Sequence, residues 1–174
     1  MGYRRFAVAA CLAITGCTNT PHINTDFDPA INFSQYHTYS WVYTAPPANM
    51  DPVLFEKVRV SIDRSLQARG FAPGAPGDFA VAFTLGRRDR VEMTDLGSYG
   101  PYYAAGWGPH YHDIDVRQIT SGSLVIDIYD TRTRRPIWHG IATKDVTPDK
   151  IDQTAIDSGV DAVLARFPPV PGAH

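Results

Sequence analysis

Two segments of the chain repeat their apolar residues at helical spacing, while several others alternate apolar and polar positions. Leu54, Val58, Ile62 and Leu66 recur every four residues with Val53 and Phe55 beside them, and Glu56, Arg59, Asp63 and Arg64 make a polar face. That spacing predicts an amphipathic helix. Asp51 stands where an N-cap is needed, Pro52 suits the first helical position, and Gly70 falls just past the last turn. A second helix is expected from Thr147-Pro148 through Ile151, Ala155, Ile156, Val160, Val163, Leu164 and Phe167, until Pro168-Pro169 stops it.

Alternation with a period of two predicts strands. Over Asp78 to Leu85, Phe79, Val81, Phe83 and Leu85 share one face, and the small residues Ala80, Ala82 and Thr84 share the other. Leu124, Ile126 and Ile128 alternate with Val125, Asp127 and Tyr129, and Ile137, His139 and Ile141 alternate with Trp138, Gly140 and Ala142. The polar turn Asp130 to Arg135 joins these two runs into a β-hairpin. Gln35 to Tyr43, rich in β-branched and aromatic residues, reads as a further strand, and a first one is expected to include Asp26 to Asp28. Prolines 46, 47 and 52 interrupt the pattern, and Pro73 to Gly77 reads as a turn. Two amphipathic helices on one face of a mostly antiparallel or mixed β-sheet bury both apolar stripes, which predicts an α+β domain of two layers.

Composition narrows the class. With 174 residues, 44% of them hydrophobic and 20% charged, the chain suits one domain. Its formal charge is −2, and without Arg4 and Arg5 in the leader described below it is −4. Nucleic acid is therefore not expected as a partner, because phosphate binding calls for a basic excess.

The first seventeen residues form a leader in their own right. Two arginines precede an apolar run from Phe6 to Ile14, then small residues lead to Cys17. This is the layout of a secretory signal, and the run is far below the roughly 20 residues that a membrane span requires. Its end, Ile14-Thr15-Gly16-Cys17, resembles the lipobox of bacterial lipoproteins. The resemblance implies that the Cys17 thiol receives a diacylglycerol and that the leader is cut before it. Anchoring then comes from several acyl chains, at about 0.8 kcal/mol for each buried methylene. Cys11 leaves with the leader, so no disulfide is expected in the mature chain. Thr18 follows the cysteine where aspartate generally signals inner-membrane retention, so the resemblance favours the periplasmic face of the outer membrane. Residues 17–25 then read as the lipidated cysteine and a polar tether of about 26 Å, 26–169 as the domain, and 170–174 as a tail.

Candidate chemistry concentrates in the segment from Gly97 to Asp115. Tyr99, Tyr102, Tyr103, Trp107 and Tyr111 are set among glycines and prolines, a composition that reads as a long loop. Flat rings with a polar handle suit contact with a glycan, a peptide or a lipid headgroup, and the same rings serve equally to cover an edge or face of the sheet. His110 and His112 lie two residues apart, but a zinc site needs three or four ligands and the sequence does not bring His37 or His139 to them, so no metal or other cofactor is expected. Arg87-Arg88-Asp89-Arg90 and Arg132 to Arg135 can meet anionic lipid, yet read more simply as solvated turns and strand ends. Asp127 and Asp130 fit turn entry better than an acid/base pair. No Gly-x-Ser-x-Gly elbow, His-Glu-x-x-His helix or phosphate-cradling glycine loop is present.

One pattern joins these pieces. Asp26-Phe27-Asp28, then Phe33, Tyr36, Thr38, Tyr39 and Trp41, the helix ending Arg69-Gly70-Phe71, the strand at Asp78, Gly122 to Asp130 with Ile137 to Gly140, and Phe167-Pro168-Pro169 resemble the bacterial lipoproteins grouped as domain of unknown function 4136. The resemblance implies a lipid-anchored envelope domain and supplies no catalytic residues. The expected role is a non-catalytic periplasmic binding or assembly module whose partner is an envelope protein or glycan. The alternatives are an envelope enzyme acting on peptidoglycan or glycan through the Gly97 to Asp115 loop, and a purely structural envelope component.

Overall fold

The computed structural model describes residues 20–48, 50–95, 114–146 and 151–169, with the backbone alone for 91–95 and 114–118. Six strands and two helices follow one another as β1 (His22–Phe27), β2 (Thr38–Trp41), α1 (Pro52–Ala68), β3 (Ala72–Pro73), β4 (Phe79–Asp95), β5 (Ile114–Asp130), β6 (Pro136–Val146) and α2 (Gln153–Leu164). They form one sheet in the order β1-β6-β5-β4-β2-β3, and both helices cover the same face. The β4–β5, β5–β6 and β1–β6 pairs are antiparallel, whereas β2 runs parallel to β3 and β4. This is the α+β architecture that the two periodicities predict, with a mixed sheet.

Alternation decides which side of each strand meets the helices. Phe79, Val81, Phe83, Leu124, Ile126, Ile128 and Trp138 are buried against Phe55, Val58, Ile62 and Leu66 of α1 and Ile156, Val160, Val163 and Leu164 of α2. Aromatic rings close the end of this core. Phe167, just past α2, packs at 5.3 to 5.9 Å between ring centres on Phe33, Phe71, Phe79 and Trp138. The start of α1 follows the sequence reading: Asp51 accepts from the Val53 and Leu54 amides, and Gly70 takes a φ of +91° beyond the C-terminus. Val53 departs from it, being 65% exposed and off the buried stripe.

Several boundaries also depart from the sequence reading. Residues 22–25 are not tether: Ile23 to Phe27 pair with Trp138 to Ala142, so the edge of β6 draws this polar stretch into β1. The strand expected over Gln35 to Tyr43 is shorter, because Asn32 caps a 3-10 turn at Phe33–Gln35 and pairing starts at Thr38. Arg87 to Arg90 lie inside β4, not at a strand end, and Ile114 and Asp115 begin β5 instead of ending a loop. Cross-strand pairing runs unbroken from Phe79 with Asp130 to Asp95 with Ile114, and this overrides the polar character of the arm. The second helix runs from Gln153, with Asp152 as the residue whose carboxylate accepts from the Ala155 amide, while the opening expected at Thr147-Pro148 lies outside the described residues.

The two helices are joined by polar contacts across their seam. Asp157 accepts from Ser61, from Gln153 at 2.8 Å and from Arg64 at 2.8 Å, while Ser65 donates to Asp161 at 2.7 Å. Arg69 donates to the Leu164 carbonyl at 2.9 Å and so completes the C-terminus of α2. The hydrogen bonds from Ser61, Gln153 and Arg64 hold the Asp157 carboxyl at about 2, below its ordinary 3.8. A depressed folded value means that its stabilisation is complete above pH 4 and fades as the pH falls through 2. Urea midpoints measured between pH 5 and pH 2 should therefore drop less steeply in Asp157→Asn than in the wild type.

Glycines give a second check on the packing. A Cβ on Gly140 meets the Trp138 ring and approaches a Val163 methyl at 2.7 Å, whereas one on Gly159 of α2 meets nothing within 4 Å. Gly140→Ala should cost about 1–3 kcal/mol by overpacking. Gly159→Ala should add about 0.4–1 kcal/mol by restricting the unfolded chain. Denaturant melts of the two variants will show opposite shifts.

Candidate functional site

The residues chosen from sequence for lipid attachment and binding, Cys17 and Tyr99, Tyr102, Tyr103, Trp107 and Tyr111, lie outside the described residues, as do His110 and His112. Among the described residues no group of three histidine, cysteine or acidic side chains converges as a metal site needs. Two polar constellations stand out instead, one in a cleft and one on the open side of the sheet.

The cleft, about 400 Å³, is lined by Gln35, Tyr36, Pro76, Gly77, Asp78, Asp130, Thr131 and Arg132. Three separate turns build it. Tyr36 comes off the 3-10 turn, Asp78 precedes β4, and Asp130 ends β5 where the hairpin to β6 begins. At its floor the Tyr36 hydroxyl donates to Asp130 Oδ2 at 2.8 Å, and Asp130 Oδ1 accepts from the Thr133 amide at 2.6 Å and hydroxyl at 2.8 Å. Burial alone pushes the Asp130 carboxyl up, but the Thr133 and Tyr36 hydrogen bonds outweigh it and hold the group below the usual carboxylate range. Burial, reinforced by Asp130, pushes Tyr36 up to about 12. Asp78 Oδ2 accepts from the His37 and Thr38 amides and from the Thr38 hydroxyl, each at 2.9 Å, which lowers its carboxyl as well.

These carboxylates thus remain ionised at neutral pH and are spent on amides and hydroxyls of the fold. Asp130 locks the turn it was expected to start, and Asp78 ties β2 to the entry of β4. The sequence reading missed the Tyr36–Asp130 pair, because 94 residues separate the partners and only the close of the sheet brings them together. Asp127 and Asp130 point to opposite sides of β5, so they do not form a pair.

On the side of the sheet away from the helices, His139 Nδ1 and Asp127 Oδ1 are 2.7 Å apart. Asp26 is the register partner of His139 on its other flank, which makes a lateral row Asp26–His139–Asp127–Ala82. Here Asp127 orients an imidazole on an exposed surface. Two arginines of β4 lie beside acids: Arg87 is 3.3 Å from Asp89, and Arg90 is 3.2 Å from Asp145.

A two-layer α+β domain, with helices on one face of a six-stranded mixed sheet and its polar groups committed to turns, is the class these features define. More narrowly, the chain belongs to the family described as domain of unknown function DUF4136, whose model matches residues 23–169. No curated protein matches the sequence. Among solved structures, the fold is similar to that of a PDZ domain protein from Parabacteroides distasonis, with a TM-score of 0.59 at 11% identity. That match covers 87% of this chain and 37% of the other, so this chain spans little more than a third of that protein's length. A PelC dodecamer structure from Paraburkholderia phytofirmans aligns with a TM-score of 0.49 at 9% identity, over 84% of this chain and 95% of that one. At such identities the likeness concerns the fold alone.

If the cleft is a structural lock, Tyr36→Phe leaves a buried carboxylate oxygen without its donor. The variant should lose about 1–3 kcal/mol in urea unfolding. The Asp130 carboxyl should also titrate higher than in the wild type. Unchanged stability would show that the floor of the cleft is held by other contacts.

Proposed function

We propose that this protein is a lipid-anchored domain on the periplasmic face of the outer membrane, a non-catalytic module that binds or assembles with other envelope components. The observation that carries this reading is Ile14-Thr15-Gly16-Cys17, a lipobox-like sequence ending five residues before β1. Five residue steps span at most about 18 Å, so an acyl group on Cys17 holds the β1 edge of the sheet close to the lipid surface. Among the described residues no helix is long and apolar enough to cross a membrane. An acylated cysteine supplies attachment by another route, at about 0.8 kcal/mol per buried methylene.

The non-catalytic half of the proposal draws support from the chemistry of the cleft. Asp78 and Asp130 are held in the charged state by donors that belong to the fold, whereas an acid or base at work is tuned toward neutral pH. Contact with an envelope protein or glycan is assigned, from sequence, to Tyr99, Tyr102, Tyr103, Trp107 and Tyr111.

The test is a Cys17→Ala variant expressed in a Gram-negative host. The wild type should incorporate labelled palmitate, fractionate with the outer membrane and gain the mass of its acyl groups. The variant should take up no label and leave the membrane fraction. Label retained by the variant, or an unmodified thiol in the wild type, overturns the anchor.

A further inference from the structure

The side of the sheet away from the helices carries a pattern with its own symmetry. Register pairing places the residues of this face in lateral rows. The middle row is Asn24–Ile141–Val125–Thr84. Two residues toward one end lies Asp26–His139–Asp127–Ala82, and two residues toward the other lies His22–Thr143–Ser123–Gly86. One flanking row therefore holds carboxylates and an imidazole, and the opposite row holds hydroxyls, an imidazole and a glycine. Val125 and Ile141 sit between them, half-buried, although both described helices pack on the other side.

We infer that this face packs on the same face of a second copy of the chain, about a two-fold axis that lies in the interface along the middle row. Such an axis keeps each strand opposite its own copy and exchanges the flanking rows. Asp26 then faces His22 of the second copy, Asp127 faces Ser123, His139 faces Thr143, and Ala82 faces Gly86. Acceptors meet donors, and the bulkier row meets the smaller one. On the axis Val125 meets Val125 and Ile141 meets Ile141, an apolar centre inside a polar rim. Face-to-face sheets cross at about 30°, so the match is closest near the axis. The interface is isologous, as a two-fold contact must be.

Attachment to a membrane fits the same axis, and this part of the argument rests on the proposed anchor at Cys17. The axis runs across the strands and leaves the sheet at the β1 edge, since β1 is the outermost strand on that side. Setting the axis along the membrane normal brings both β1 edges to the lipid at equal height, each within about 18 Å of its own Cys17. Both anchors can then engage one bilayer.

The experiment uses the full-length chain extracted in mild detergent and weighed by sedimentation equilibrium at micromolar concentration. The wild type should sediment at twice the protomer mass. Val125→Lys sets two like charges against each other on the axis and should weaken self-association by at least about a hundredfold. Val125→Glu should do the same alone, while an equimolar mixture of the two variants should recover the dimer. Circular dichroism melts confirm that each variant is folded, and Thr84→Lys replaces any variant that is not. A monomeric wild type, a folded Val125→Lys that still dimerises, or a mixture that stays monomeric overturns the inference. Intact-mass analysis of the same material reads the anchor separately, so a dimer with an unmodified Cys17 overturns the anchor and leaves the interface standing.

Discussion

Burial of one face of the sheet by two helices is the constraint from which the rest follows. Phe79, Val81, Ile126, Ile128 and Trp138 can leave water only under α1 and α2, and the helices in turn have no other surface for Phe55, Ile62, Val160 and Leu164. Each fully buried side chain of this size contributes about 1.5–3 kcal/mol, so the dozen largest outweigh any polar contact in the domain. Phe167 sits where strands, helix end and the β3 turn converge, which makes it the closing piece of that core.

Polar groups take their roles from this arrangement. Ser61, Gln153, Arg64 and Asp157 bridge the helix seam where the apolar stripes diverge. Asp63 accepts from Tyr39 at 2.8 Å and Trp41 Nε1 at 3.1 Å, fastening β2 to α1 across the top of the core. Asp130 and Asp78 perform the same service for turns. Side chains that sequence motifs bring to mind as acids or bases are here the pins of the fold, and their lowered pKa values reflect donated hydrogen bonds. Both described helices lie on one side, and the opposite face carries Val125 and Ile141 between two polar rows.

Length of pairing is the feature that local chemistry concealed. A run of arginines interrupts the apolar alternation after Leu85, and that interruption reads as the end of a strand. Yet β4 and β5 each continue to 17 residues, because their antiparallel register runs without a break and the hydrogen-bonded pairs that recur at every second position hold the arm together. The polar stretch before Asp26 joins β6 for the same reason. Backbone hydrogen bonding is indifferent to side-chain polarity, so a neighbouring edge recruits segments whose own sequence predicts a tether or a loop.

Alternation and helical spacing by themselves determined the type of the main elements, most of the buried stripe of α1, the faces of β4 and β5, and the α+β class. These depend on residues close together in the chain, where periodicity translates directly into a face. The membership of DUF4136, carried by residues spread along the chain, was equally legible, and the family match bears it out. Tertiary structure alone decided the strand order, the parallel insertion of β2 beside β4, the true reach of the long hairpin and the entry of residues 22–25 into the sheet. It alone paired Tyr36 with Asp130 and Asp26 with His139. Those contacts join residues tens of positions apart, and nothing in a local window distinguishes a carboxylate that closes a turn from one that waits for a ligand.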